Sequence, residues 1–219
     1  LGASTEEAQE NVAIDVAEQI RDVLLGLPAR SAVNIPGLSA EIMERLKPQL
    51  QLSETLGLLV SQLAGGQVQE LELRLQGEFA KHPSQPLVIA ALKGMLSSAL
   101  GDSINYVNAS LEAKARGIQV LEVKDESSRD FAGGSLQLTS RGAQGGHSVT
   151  GAVFSDGELR ITSIDEFPVN VSPSRHMLFT RHRDMPGIIG HLGSLLGEHN
   201  VNIASMQVGR RIVRGDAVM

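Results

Sequence analysis

The chain has 219 residues, enough for one large domain or two small ones. Its 42% hydrophobic and 20% charged residues make a globular composition, and the lack of cysteine excludes disulfides, thiolate metal sites and a cysteine nucleophile. A net charge of −6 with one Tyr, five Phe and no Trp argues against a nucleic-acid binder, and no uncharged apolar run reaches the roughly 18 residues of a membrane span.

Ser4-Thr5-Glu6-Glu7 reads as a capping box, with Ser4 as the cap and Glu7 reaching back. Val12, Val16, Ile20 and Val23 then share a helical face, and Gly26 and Pro28 stop the helix. Residues 29–38 read as an extended exit segment. Ser39 opens a short helix that ends before Pro48, and Leu52, Leu56, Leu59, Val60 and Leu63 stripe a longer one closed by Gly65-Gly66. From Glu70 to Gln76 apolar and polar residues alternate, which predicts a strand with one wet face. Pro86 starts a helix that is apolar nearly all round and therefore buried. After Gly101-Asp102-Ser103 a further helix carries Ile104, Val107 and Leu111 and ends at Gly117. Four strands follow, at 118–124, 134–139, 147–154 and 158–164, with a hairpin signal at Asp156-Gly157.

Ser172-Pro173-Ser174 reads as a linker. Beyond it come a strand from Met177 to His182, a turn at Asp184-Met185-Pro186-Gly187, and an amphipathic helix with Ile188, Ile189, Leu192, Leu195 and Leu196. A second strand runs from Val201 to Val208. Residues 175–219 hold six arginines against Asp184, Glu198 and Asp216, so this stretch carries +3 and the preceding 174 residues −9, which marks a module boundary. Those arginines read as decoration of exposed strands. The start without Met and the end inside strand-like sequence suggest a fragment cut at both ends.

No motif marks catalysis. The six histidines show no His-Glu-x-x-His spacing, and no Gly-x-Ser-x-Gly elbow or Walker loop is present. Gly133-Gly134 and Gly142 to Gly146 read as hairpin turns. The turn at Asp184 is more informative. Asp184 is placed either to cap the helix starting at Pro186-Gly187 or to hold a ligand ammonium group, the helix N-terminus suits a small carboxylate, and Asn202 offers a donor and an acceptor. Together they suit a zwitterion such as an amino acid; the simpler alternative leaves Asp184 as a cap and Asn202 in a turn.

Arg181-His182-Arg183-Asp184-Met185-Pro186-Gly187-Ile188-Ile189-Gly190 with Asn200-Val201-Asn202-Ile203-Ala204 resembles the first half of an ACT domain, a module that senses amino acids and usually pairs. Leu1 to Gln9 resembles the segment just after the catalytic histidine of D-3-phosphoglycerate dehydrogenases. Asn105-Tyr106-Val107-Asn108-Ala109 and Ala115-Arg116-Gly117-Ile118 resemble the intervening allosteric substrate-binding domain of the long form of that family. The resemblance covers essentially the whole chain, in the family's order.

It implies an α+β fold in three parts. Residues 1–36 would end the catalytic substrate domain. Residues 37–172 would form an intervening domain with a mostly antiparallel sheet, and 173–219 the N-terminal part of a ferredoxin-like ACT domain. It also implies an NAD-dependent oxidation of 3-phosphoglycerate to 3-phosphohydroxypyruvate, the first step of L-serine biosynthesis, in a cytoplasmic homo-oligomer. NAD, the catalytic histidine and its partners would lie outside this chain, leaving it inactive alone. L-Serine would be the effector, on His182, Asp184 and Asn202. Some family members bind anions through basic residues of the middle domain near the ACT junction; here that stretch, Asp165 to Asn170, is acidic and apolar. Two other readings share parts of these motifs: a stand-alone amino-acid-sensing ACT protein, and a serine dehydratase subunit.

Overall fold

The computed structural model describes residues 5–24, 44–127, 133–143 and 145–219; the Ser4 cap, the stops at Gly26 and Pro28, the exit segment and the helix start at Ser39 lie outside them. Helix α1 (Glu6–Leu24) is capped by Thr5, whose Oγ1 accepts from the Ala8 N–H at 3.2 Å. With Thr5 as cap the third helical residue is Ala8, so no capping box closes. Its Val12, Val16 and Ile20 stripe is exposed.

Helix α2 (Lys47–Ala64) carries Pro48 in its first turn, where a missing N–H costs nothing, and ends at Gly65 with φ 59°. Leu52, Leu56 and Val60 are fully buried, as their spacing predicts. Helix α3 (Ser84–Leu100) is buried along Pro86–Leu92. The two helices cross backbone to backbone. A Cβ on Gly57 would overlap the Ala91 carbonyl oxygen, and one on Gly94 would overlap that of Glu54. The crossing is fastened by Ser53 Oγ donating to the Leu87 carbonyl at 2.6 Å and by a polar cluster in which the Lys93 ammonium and the Tyr106 hydroxyl both donate to the Glu54 carboxylate.

Beneath them lies a sheet of β1 (Val68–Gln76), β2 (Gln119–Asp125), β3 (Ser135–Gly142), β4 (Gly145–Val153), β5 (Leu159–Ile164) and β6 (Phe167–Val171). The order is β2-β1-β3-β4-β5-β6; only β1 and β2 run parallel. A parallel pair needs a long crossover, which α3 and α4 (Ala109–Ala115) supply. Leu71, Leu73 and Leu75 of β1 and Leu136 and Leu138 of β3 face the helices with no exposure. On the other face Arg141 bridges Glu70 and Glu72, and Arg74 pairs with Glu72 at 2.9 Å.

Two expectations in this region need correction, and one strand carries no signal in the sequence. The helix expected from Ile104 starts at Ala109, because Asn105 Oδ1 accepts from the N–H groups of Val107 and Asn108 and holds a turn there; Val107 and Leu111 are exposed. Gly133-Gly134 is not a hairpin turn, since β1 separates β2 from β3. Strand β6 was not expected: its hairpin with β5 turns at Asp165 and Glu166, both left-handed at φ 48° and 63°, with no glycine to signal it. The hairpins closed by Gly142–Gly145 and by Asp156-Gly157 form as expected, the latter with the Gly157 N–H donating to Phe154 O at 2.9 Å.

A second, smaller sheet has the order β7 (Arg181–Arg183), β9 (Asp216–Val218), β8 (Gly209–Arg210). The strand expected from Met177 is shorter: Thr180 exchanges backbone bonds with Met219, and only 181–183 follow in the ladder. The strand expected over Val201–Val208 does not form. The pairing edge of β9 is taken by Gly209 and Arg210, so 201–208 has no ladder partner among the described residues. Helix α5 (Ile188–Glu198) links β7 to this stretch. The two sheets abut where β8 meets β6, and a Cβ on Gly209 would overlap the Pro168 carbonyl oxygen. The fold is α+β, and no helix among the described residues is long and apolar enough to cross a membrane.

Candidate functional site

Directly opposed residues of an antiparallel pair share a face, and neighbours along a strand alternate. In the small sheet His182 and Arg210 both lie opposite Ala217, so these three share one face. Asp184, two residues past His182, joins them: its Oδ2 accepts from Arg210 Nη1 at 3.0 Å and from the Arg214 N–H at 3.2 Å. The Arg214 N–H and then the Arg210 guanidinium hold the Asp184 carboxyl below the usual carboxylate range. His182 Nδ1 is buried on this face with no hydrogen-bond partner.

Asp184 does not cap α5. Gly187, which precedes the helix, has φ 93° and no side chain caps the helix, while the carboxylate bonds to Arg210 and the Arg214 N–H. Asn202 is exposed in the segment after α5 and makes no hydrogen bond to His182 or Asp184 within the chain. The structure thus brings His182 and Asp184 onto one face, and no hydrogen bond ties Asn202 to them.

The opposite face of the small sheet meets the large one across a cleft of about 580 Å³. Arg181, Arg211 and Asp216 line it from the small sheet, and His147, Asp165 and Glu166 from the large one. The two arginines and the imidazole each face a carboxylate. Arg211 Nη1 lies 2.8 Å from Glu166, Arg181 Nη2 3.1 Å from Asp216, and His147 Nδ1 2.8 Å from Asp165. Asp165 also accepts from the Ser148 N–H at 2.9 Å, and the Arg181 guanidinium lies over the Phe167 ring at 5.9 Å. Three of the six arginines read from sequence as strand decoration, Arg181, Arg210 and Arg211, therefore make specific side-chain contacts. Alternation alone would have placed Arg210 and Arg211 on opposite faces; nothing local pointed to their partners 26 and 45 residues away.

The chain thus divides into a helix-covered, mostly antiparallel sheet and, after it, a smaller unit of strand, helix and two further strands. Residues 45–165 match the family model of the D-3-phosphoglycerate dehydrogenase intervening domain, and residues 176–219 match the ACT domain. The chain belongs to the D-3-phosphoglycerate dehydrogenase intervening-domain family. It is 68% identical over 220 residues to a D-3-phosphoglycerate dehydrogenase of Synechocystis, 39% over 218 residues to one of Methanocaldococcus jannaschii, and 36% over 219 residues to one of Bacillus subtilis. Each match takes in 100% of this chain and 40%, 41% and 42% of those relatives, so the chain spans about two fifths of their length.

Proposed function

We propose that this chain is the regulatory part of an NAD-dependent D-3-phosphoglycerate dehydrogenase, which oxidises 3-phosphoglycerate to 3-phosphohydroxypyruvate at the first step of L-serine synthesis. In this reading residues 1–36 finish the catalytic unit, 37–172 form the intervening domain and 173–219 belong to the ACT domain. NAD and the catalytic groups belong to sequence outside this chain, so the chain alone turns nothing over. The enzyme works in the cytoplasm as a homo-oligomer.

The effector is L-serine, bound by His182, Asp184 and Asn202. The single observation that carries this is the shared face of His182 and Asp184: an ionised carboxylate for an ammonium group beside an imidazole nitrogen that lacks a partner. That Asn202 bonds to neither residue within the chain suits a site that is completed across an interface, with Asn202 of a second copy reaching the ligand. The test is calorimetric titration of L-serine into the full chain and its Asp184→Asn variant. A charge-assisted contact contributes about 1.5–3 kcal/mol, so affinity should fall roughly ten- to a hundredfold. Equal affinities would remove Asp184 from the site.

A further inference from the structure

The carboxylate assigned to the effector is already in use. Asp184 Oδ2 holds the Arg210 guanidinium and the Arg214 N–H, and the Asp184 N–H donates to the Gly215 carbonyl at 2.8 Å, so this one residue pins the 209–216 hairpin from both its backbone and its side chain. Arg210 and Arg211 are adjacent on that hairpin and point to opposite faces. Arg210 holds Asp184; Arg211 holds Glu166 of the β5–β6 turn at 2.8 Å. The turn in turn is fastened to β4, through Asp165 Oδ1 to the Ser148 N–H and through the Asp165 N–H to the Ser148 carbonyl at 2.8 Å. Two ion pairs, the adjacent residues Arg210-Arg211 and Asp165-Glu166, and two hydrogen bonds to the Ser148 backbone therefore join the effector face to the intervening sheet.

We propose that the 209–216 hairpin is a ligand-operated latch between the two modules: an ammonium group arriving at Asp184 competes with Arg210, and the loosened hairpin weakens the hold of Arg211 on Glu166. This rests on Asp184 being the effector residue. The physical reason is charge. One carboxylate cannot fully neutralise an ammonium and a guanidinium at once, so the two cations oppose each other's binding, and by reciprocity whatever removes Arg210 must tighten the ligand. Arg210 is then a gating residue, and the β5–β6 turn, with its two left-handed residues, is the element that receives the change.

Two measurements on the full chain test this. In the first, amide hydrogen exchange is followed without ligand in wild type, Asp184→Asn and Arg210→Gln. The latch predicts faster exchange, about two- to fivefold, as suits partly exposed ion pairs, at the Asp165 N–H as well as at Arg214. A change confined to 209–216, with Asp165 unmoved, overturns it. In the second, L-serine is titrated into Arg210→Gln, Glu166→Gln, Arg211→Gln and the Arg211→Gln/Glu166→Gln double variant. Each single variant should bind serine about two- to fivefold more tightly than wild type, and the double variant no more tightly than its singles. Unchanged or weaker binding by Arg210→Gln refutes the competition. Wild type that binds no serine would refute the effector reading instead, and the exchange result alone would then decide whether Asp184 and the β5–β6 turn are mechanically linked.

Discussion

Tyr106 is the single tyrosine of the chain, so its ionisation can be followed by absorbance without interference. Burial, then the neighbouring Glu54 charge and hydrogen bond, push its hydroxyl above the ordinary value of about 10. A proton bound more tightly in the folded state stabilises the fold below the unfolded pKa, and that contribution fades as pH rises above about 10. Spectrophotometric titration should show delayed phenolate formation in wild type and an earlier transition in Glu54→Gln; coincident curves would separate the two groups. Asp184 has the opposite sign. Its carboxyl is held low, so its grip on the hairpin is present above the ordinary carboxylate pKa of about 4 and is lost as pH falls through the depressed folded value. Exchange at the Arg214 amide should therefore stay protected at neutral pH relative to Asp184→Asn, and the difference between the two should vanish in acid. Glu72 shows how the balance is struck inside one site: burial raises its pKa, but bonds from Arg74 and Arg141 outweigh this and leave it low.

The α2–α3 crossing is the element whose geometry tolerates least. Gly94→Ala and Gly57→Ala must push the helices apart, since each new methyl would overlap a carbonyl oxygen of the facing backbone. Overpacking of this kind costs about 1–3 kcal/mol, while Leu56→Ala, which opens a cavity beneath the crossing, should cost about 2–5 kcal/mol. Urea unfolding measures both, and an unshifted midpoint in Gly94→Ala would contradict the close approach of Gly94 to the Glu54 carbonyl. The elements legible in the sequence are those whose signal is local. The alternation from Glu70 to Gln76, the 3.6-residue stripe through Leu52, Leu56 and Val60, and Asp156-Gly157 each carry their own instruction. Elements set by distant partners were not legible. Strand β6 depends on pairing with β5, and Val201–Val208, strand-like in composition, stays unpaired because Gly209 and Arg210 occupy β9. In the site, His182 and Asp184 share a face by the alternation of Arg181-His182-Arg183-Asp184, which local sequence shows. That Arg210 rather than the α5 N-terminus meets Asp184 depends on a hairpin closing 26 residues later.

At the scale of the molecule, two sheets meet through β6 and β8. The larger is closed on one side by α2 and α3 and carries its own core; the smaller has little core of its own, and Ile189 and Leu195 of α5 remain 54% and 44% exposed. A small module with an apolar helix outward gains by pairing, which supports the proposed homo-oligomer. Sedimentation velocity of the full chain should show a closed oligomer, and a monomer at all concentrations would count against it. In the proposed function an amino-acid effector acts through Asp184 on a dehydrogenase whose chemistry lies outside this chain. The most direct measurement is serine inhibition of NAD reduction with 3-phosphoglycerate, using full-length wild-type enzyme and its Asp184→Asn variant. The account predicts an inhibition curve displaced to at least about tenfold higher serine in the variant. Superimposable curves, or a wild-type enzyme indifferent to serine, would contradict it.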